Sequence, residues 1–217
     1  MSYPEGRLYE ALYAKYIHKR HVSELVDFAG SLKGKDILDL CCGTGRLLQE
    51  CIKRGAKATG VDKSYDMRCG IEAWSEGVVR TCGETARSYL LYTSGHKIEF
   101  DAVFCRQAVN YWLNEDVAYF LSKSIISGGK FIFNTFNKKP GKVPVVKKYE
   151  YQGYTFIETS WLVDKTVHHV QVREGLPPHT TEFQWISPEK FQSLLSPYFD
   201  IEVKESGPTS IYVCTKL

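Results

Sequence analysis

Apolar and polar residues follow two different periods along this chain, and the change from one to the other comes near residue 140. Before it, short apolar runs such as 36–40 and 100–105 are typical of buried strands. Segments with apolar residues at helical spacing lie between these runs, the first of them within residues 7–30. Strands that alternate with helices predict parallel βαβ units and a sheet covered by helices on both faces.

Turn and cap signals set the limits of these elements. Gly55 follows a helical segment as a C-cap glycine does, and a Ser-Gly-Gly turn is predicted at 127–129. The predicted strands cover 36–40, 58–61, about 78–82, 100–105 and 130–134. The predicted helices between them cover 46–54, a segment from near Ser64, and 114–125.

After Pro140 the period shortens to two, as in strands with one buried face. Such alternation at 154–158, 167–172 and about 181–186 predicts antiparallel strands, so we expect an antiparallel β insert over about 142–186. Ser187-Pro188-Glu189 then opens a helix, with serine as N-cap and proline at the first position. The chain ends in a predicted hairpin, 199–204 with 211–215, that turns at Gly207-Pro208.

Composition and charge narrow the class of protein. The 217 residues fit one domain, and 28 basic against 25 acidic residues give a net charge of +3, which does not favour a dedicated nucleic-acid binder. Five lysines crowd one stretch, at 138, 139, 142, 147 and 148, and there two interpretations stay open: a solvated loop, or a patch for an anionic substrate or RNA backbone. The odd number of cysteines, seven, without a Cys-x-x-Cys pair favours reduced thiols, and no apolar leader or long apolar run appears. We therefore expect a cytoplasmic protein with no membrane partner.

A glycine-rich turn follows the first predicted strand and leads into a helix, which is where an open α/β sheet receives a nucleotide-like ligand. Gly43 and Gly45 let the backbone approach such a ligand without interference from a Cβ atom. A dinucleotide site needs a third small residue where this chain has Leu48, so that pattern fails. Asp39 beside the turn suits a ligand ammonium group instead, and Asp62 at the end of the second strand suits the two hydroxyls of a ribose.

Three segments together carry a family resemblance: Asp-Leu-Cys-Cys-Gly-Thr-Gly at 39–45, Gly-Val-Asp-Lys-Ser at 60–64 with Met67 behind it, and Gly-Glu-Thr at 83–85. They resemble the motifs of class I S-adenosylmethionine (SAM)-dependent methyltransferases, in which the third turn reads Gly-Asp-Ala. The resemblance implies SAM as the methyl donor, S-adenosylhomocysteine as the product, and a methyltransferase activity. It also implies a Rossmann-like, doubly wound α/β fold with a mostly parallel seven-stranded sheet, a C-terminal antiparallel hairpin and the β insert after strand five. We predict one domain, 1–217, whose residues 1–33 form a helical cover.

The same resemblance implies roles for the matching residues. The glycines approach the methionine part of the cofactor, Asp62 holds the ribose, and Met67 packs near adenine. The segment 8–13 is similar to the leading segment of sugar amine N,N-dimethyltransferases, which covers the cofactor; Tyr9 and Tyr13 would otherwise pack in a static core. The predicted cofactor-binding residues are Tyr9, Tyr13, Asp39, Cys41, Gly43, Thr44, Gly45, Asp62, Lys63, Met67, Gly83, Glu84, Thr85, Cys105 and Arg106.

The segment after the fourth strand lacks the motifs that mark several classes of methyl acceptor. It reads Cys-Arg-Gln-Ala at 105–108, unlike the Asn/Asp-Pro-Pro-Tyr/Phe motif of enzymes that methylate exocyclic amines of bases. No proline precedes a cysteine, and no carboxylate ligands end this strand as in catechol-type enzymes, so no metal is predicted. The layout is most similar to small-molecule members of the family, the sugar amine N,N-dimethyltransferases and, more loosely, glycine N-methyltransferase. This predicts methyl transfer to a nitrogen or oxygen nucleophile of a small molecule by in-line displacement.

We predict the substrate site between residues 107–112 and the insert, which carries Tyr151, Tyr154 and Trp161. The candidates for a base or an orienting group are Tyr111, His168, His169 and, beside them, His179. Adjacent residues on a strand point to opposite faces, so His168 and His169 cannot both reach the methyl group. Two alternatives stay open, an RNA-modifying methyltransferase of the tRNA type and a SAM-binding partner protein without catalysis. A homodimer stays open as well, and nucleic acid is not expected as a partner.

Overall fold

The structure is a computed structural model that describes residues 6–13, 19–75, 78–206 and 209–217. Its helices are α1 (Gly6–Leu12), α2 (Lys19–Asp27), α3 (Arg46–Lys53), α4 (Tyr65–Ser75), α5 (Ala86–His96), α6 (Glu115–Lys123) and α7 (Pro188–Leu195), with a 3-10 helix at Val109–Tyr111. Its strands are β1 (Asp36–Leu40), β2 (Lys57–Val61), β3 (Arg80–Cys82), β4 (Phe100–Arg106), β5 (Ile125–Phe136), β6 (Val145–Tyr151), β7 (Tyr154–Val163), β8 (Thr166–Arg173), β9 (His179–Gln184), β10 (Phe199–Ser206) and β11 (Thr209–Lys216). No helix in these ranges is long and apolar enough to span a membrane.

Two sheets organise the molecule. The larger has seven strands in the order β10-β11-β5-β4-β1-β2-β3. Its strands from β5 to β3 are parallel, and β11 and β10 add antiparallel to β5 and to each other. The smaller sheet, β6-β7-β8-β9, is antiparallel throughout and follows β5 in the chain. These observations confirm the predicted fold class; the predicted turn residues Gly207 and Pro208 lie outside the described residues.

The central strand β1 is buried on both faces, as its unbroken apolar run indicates. Leu38 and Leu40 pack with Leu121 of α6 on one face. Ile37 packs on the other face, in the cluster that contains Leu47 of α3. Burial of a leucine or isoleucine side chain stabilises by about 1.5–3 kcal/mol, so these two layers hold the carboxyl end of β1 firmly in place.

The helix α5 has no counterpart among the predicted elements. Its N-terminus is well marked in the structure, where Thr85 caps it by accepting a hydrogen bond from the Ser88 amide at 3.1 Å. Its solvent face, however, carries exposed Leu91 and Tyr92, so apolar residues do not mark one side of the helix. The helical period is therefore hidden in the sequence.

The turn predicted at 127–129 is wrong, because these residues belong to β5. The pairing steps from Phe100 with Ile125 to Ala102 with Lys130, so β5 carries a bulge opposite the start of β4. Gly128 adopts a φ of +73°, and a Cβ on Gly129 would lie 2.9 Å from the Asp101 carbonyl oxygen. The two glycines absorb the extra residues inside the strand and do not end it.

Candidate active site

A cavity of about 260 Å³ lies at the carboxyl ends of β1, β2 and β4. The parallel strands supply its floor through Asp39 and Asp62, and the second sheet covers it with Glu158, His169 and Thr181. In open α/β sheets this edge is where ligands bind, because the loops that follow the strands meet there. The antiparallel insert thus forms the opposite wall of the same cavity.

The glycine turn after β1 is tied to the end of β2. Asp62 accepts hydrogen bonds from the Gly43 amide at 3.0 Å and from the Ser64 amide at 2.9 Å, one on each carboxylate oxygen. Gly43 has a φ of +54°, and a Cβ there would lie 3.1 Å from Met67 Cε. Each carboxylate oxygen has a second lone pair, so Asp62 can still accept from two hydroxyls of a ligand.

Close packing of the start of α3 against α4, and of α3 against β2, explains the role of the other glycines near this turn. A Cβ on Gly45 would lie 2.8 Å from the Trp74 ring, and Gly45 does not line the cavity. A Cβ on Gly60 would lie 2.6 Å from Leu48 Cδ1. The small residue that lets helix and strand approach is thus Gly60 on β2, which is why Leu48 is tolerated on the helix.

Asp39 is the buried carboxyl group of the site. It is 2% exposed, and within the described part of the chain its Oδ1 atom has no hydrogen-bond partner. Burial raises the pKa of Asp39 to about 8, with the Arg106 guanidinium opposing this rise and Asp62 adding to it. Because burying an unpaired carboxylate is costly, this atom fits a ligand that brings a cationic group.

Two non-glycine residues on the cavity wall have a left-handed backbone. Cys41 has a φ of +59° and Gln107 a φ of +57°. The Gln107 amide donates a hydrogen bond to Asn134 Oδ1 at 3.1 Å, and buried Asn110 accepts one from the Thr135 hydroxyl at 3.2 Å. These contacts hold the loop after β4 to the end of β5, so Tyr111 lies at the cavity edge. Strain that the surrounding contacts hold in place is typical of binding sites.

Helix α1 closes one side of the cavity and is held to the glycine turn and to the insert. Glu10 accepts hydrogen bonds from the Thr44 hydroxyl at 2.9 Å and from two Arg46 nitrogens at 2.9 and 3.0 Å. Burial raises the pKa of Glu10, but the hydrogen bonds from Arg46 and Thr44 outweigh it, so this pKa is below the ordinary value. At the other end the Tyr13 hydroxyl lies 2.8 Å from His179 Nδ1 on β9. The predicted cover is therefore clasped to the glycine turn and to the insert.

Of the two adjacent histidines on β8, only His169 lines the cavity. Its Nδ1 lies 2.8 Å from the Ser160 hydroxyl, and burial lowers its pKa, with Glu158 opposing and Lys147 adding to the effect. His168 lies on the other face of the strand, where its Nδ1 is 3.0 Å from Glu182. Because adjacent side chains on a strand point to opposite faces, His168 lies away from the cavity, as the sequence predicts for one of the two histidines.

Most of the predicted cofactor residues line this cavity, namely Tyr9, Tyr13, Asp39, Cys41, Gly43, Thr44, Asp62, Lys63, Met67, Glu84, Thr85 and Arg106. Gly45, Gly83 and Cys105 do not. Cys105 is buried in the core beneath the sheet edge, and a Cβ on Gly83 would meet the Arg68 guanidinium at 2.7 Å. Among the residues proposed for the substrate side, Tyr111, His169 and His179 line the cavity.

Several cavity residues were missed from the sequence. Glu158, Thr181 and Phe183 belong to this group. Glu10, which holds α1 to Thr44 and Arg46 beside the cavity, was not predicted either. Strand alternation does place Phe156, Glu158 and Leu162 on one buried face, but the sequence does not show which face of the insert meets the cavity. Tyr151, Tyr154 and Trp161 do not line it. The described residues contain no group of three or more His, Cys, Asp or Glu side chains that could hold a metal ion.

Comparison with known proteins finds one family that is similar to the middle of the chain. Residues 37–125 match the methyltransferase domain family. Ubiquinone biosynthesis O-methyltransferases from Salmonella arizonae and Salmonella newport are each 25% identical over 126 residues, which are 56% of this chain and 51% of each relative. The chain therefore spans about half the length of the curated relatives it matches.

Solved structures show the same fold over nearly the whole chain. SAM-bound CalS10, an amino pentose methyltransferase from Micromonospora echinaspora, is similar to this chain with a TM-score of 0.78 at 17% identity. The superposition covers 100% of this chain and 98% of the CalS10 chain. DesVI from Streptomyces venezuelae has a TM-score of 0.71 at 16% identity, with all of both chains covered. A SAM-dependent methyltransferase from Clostridium acetobutylicum has a TM-score of 0.71 at 18% identity, over 97% of this chain and 96% of its own.

Proposed function

We propose that this chain, which contains a methyltransferase domain of the class I fold, binds SAM and transfers its methyl group to a nitrogen or oxygen of a small molecule. The main support for the proposal is that one cavity has residues suited to SAM on one side and residues suited to a methyl acceptor on the other. Asp39, Gly43 and Asp62 lie on the side of the parallel sheet, and Tyr111 and His169 lie on the side of the loop after β4 and the insert. A methyl donor on the first side would face an acceptor on the second.

The residues on the sheet side fit the parts of SAM. The unpartnered oxygen of Asp39 suits the ammonium group, and the glycine turn leaves room for the methionine part. Asp62, already fixed by two amides, suits the ribose hydroxyls, and Met67 with the 84–85 turn suits the adenine. SAM carries no phosphate, so the absence of a small residue at position 48 does not count against it.

Bound SAM supplies an electrophilic methyl group on a sulfonium, and the protein has to hold a nucleophile in line with it. His169 can take the proton that an amine or hydroxyl acceptor loses. Burial keeps its imidazole neutral at pH 7, and Ser160 engages Nδ1, so Nε2 is the nitrogen left for the acceptor. Tyr111 can orient the acceptor through its hydroxyl.

The shape of the site supports a small acceptor. The cavity lies between two sheets and is flanked by the clasped helix α1, so a nucleotide within a duplex would not reach it. The name of CalS10, an amino pentose methyltransferase, is in line with this acceptor class.

Calorimetric titration of the protein with SAM tests the cofactor assignment. We expect saturable binding, little binding of NAD, and a loss of about 1.5–3 kcal/mol of binding free energy in Asp62→Ala, because a charged hydrogen-bond acceptor is removed. Asp200→Ala, a change at an exposed carboxylate on β10, is the matched control and should bind SAM like the unmodified protein. Comparable affinity for NAD, or an Asp62→Ala protein with full SAM affinity, would overturn the assignment.

A further inference from the structure

A second, open cavity of about 550 Å³ adjoins the first on the side of the insert. The two share four residues, Phe136, Glu158, His169 and Phe183. Below we call them the inner cavity, which contains Asp39 and Asp62, and the outer cavity. A single ligand can therefore extend from one into the other past His169.

The outer cavity is positively charged. Lys138, Lys139 and Lys147 line it against a single carboxylate, Glu158. All three lysines are exposed, so their ammonium groups are hydrated and mobile, as is common where lysine binds phosphate or carboxylate as a point charge. They belong to the lysine-rich stretch that the proposed methyl transfer leaves unexplained.

Strand register separates these lysines from their neighbours. Lys147 lies opposite Glu158 in the β6–β7 pair, so both project from the face that lines the outer cavity. The next residue, Lys148, lies opposite Ile157 and projects from the other face. Two adjacent lysines of equal charge thus differ only in the side of the sheet they occupy.

We infer that the methyl acceptor carries an anionic group, a phosphate or a carboxylate, that binds the lysines of the outer cavity while its acceptor atom lies beside His169. This inference rests on the proposed methyl transfer. Acidic side chains outnumber basic ones in the inner cavity, where Asp39, Asp62, Glu84 and Glu158 stand against Lys63 and Arg106, so the anionic end of such a substrate is favoured in the outer cavity. Phe136 and Phe183, stacked with centroids 6.2 Å apart, supply an apolar contact for the part of the substrate between its two ends.

Calorimetry with two simple anions tests the inference on the full chain saturated with S-adenosylhomocysteine. Inorganic pyrophosphate represents a phosphate-bearing substrate, and malonate represents a carboxylate-bearing one. The anion that binds more tightly shows which of the two groups the substrate carries. We expect saturable binding of at least one anion at low ionic strength. Combined Lys139→Gln and Lys147→Gln changes should weaken it by about tenfold or more, since two of three charges are removed.

Two further variants make the test specific. Lys148→Gln removes an equal charge from the opposite face and should leave anion binding unchanged. Glu158→Gln removes the repelling carboxylate and should leave binding equal or tighter. No saturable binding of either anion, or an equal loss in Lys148→Gln, would overturn the inference, and so would RNA binding that falls steeply with salt and depends on Lys142 and Lys148.

Titration with SAM separates failure of the inference from failure of the proposed function. Each lysine variant should bind SAM as the unmodified protein does, because these lysines do not line the inner cavity. Normal SAM binding without anion binding contradicts only the anionic substrate. Absence of SAM binding in the unmodified protein contradicts the methyl transfer itself.

Discussion

Burial of the Asp39 carboxylate lowers the stability of the ligand-free fold, and a bound cationic group would offset this loss. The sequence indicates its place at the end of a strand, but not the burial that raises its pKa to about 8. Burial depends on which side chains fold over the strand end, and in this protein they include Arg106 and Tyr9 from distant parts of the chain. The residue type was thus predictable, and its electrostatic state was not.

Asp39→Asn should stabilise the ligand-free protein at neutral and alkaline pH. The folded-state pKa of about 8 lies above the value of about 3.9 in the unfolded chain, so between these values the folded state binds more protons. The free energy of unfolding therefore falls as pH rises through this range, and the asparagine removes that fall. Thermal unfolding at pH 8 should show a gain on the order of 1–4 kcal/mol, with little gain near pH 4. The same gain at both pH values would contradict the raised pKa.

His168 and His169 form a natural matched pair, because they are neighbours of the same type on opposite faces of β8. His169→Ala should lower turnover by about 10²-fold through the loss of a proton acceptor, and His168→Ala should leave it unchanged. Because burial lowers the pKa of His169, the rate of the unmodified protein should fall only at pH values below the ordinary histidine pKa of about 6.5. Both variants should bind SAM normally. Equal turnover of the two variants would place the proton acceptor elsewhere.

At the scale of elements, strands were predicted more fully than helices. The apolar run of β4 and the alternation of β7 and β8 appear where the sequence indicates them. The helix α5 was missed because apolar residues lie on its solvent face, and the bulge in β5 was taken for a turn because glycines serve both. In each case a contact with another element of the fold determines the local structure, and a local sequence pattern carries no information about that contact.

The clasp between α1 and the glycine turn is an element-scale feature that depends on Glu10. Glu10→Gln should weaken the contacts to Arg46 and Thr44, and the amides of residues 6–13 should then exchange several-fold faster in the ligand-free protein. Glu50→Gln removes a comparable ion pair, with Arg54 on α3, and should not change exchange in residues 6–13. Hydrogen exchange detected by mass spectrometry measures both. Unchanged exchange in Glu10→Gln would show that the contacts of Glu10 do not hold α1 in place.

At the scale of the whole molecule, the cavity arises from the meeting of two sheets that are separate in sequence. The parallel part of the larger sheet follows from strands that alternate with helices, and the resemblance to a known family implies the seven strands and the antiparallel hairpin. The face of the insert that meets the sheet is set by strand register, and a shift by one residue would exchange His169 for His168. The residues that the parallel sheet brings to the cavity were therefore predictable from motifs, and those that the insert brings only in outline.

Transfer of a labelled methyl group is the most direct measurement of whether this molecule moves a methyl group from SAM to a small acceptor. The protein is incubated with methyl-labelled SAM and a fractionated cell extract, with Asp62→Ala as the control of reduced cofactor binding. We expect the label in a low-molecular-weight fraction, at a much lower level with Asp62→Ala. Label recovered only in RNA, or SAM binding without any labelled product, would rule out methyl transfer to a small molecule.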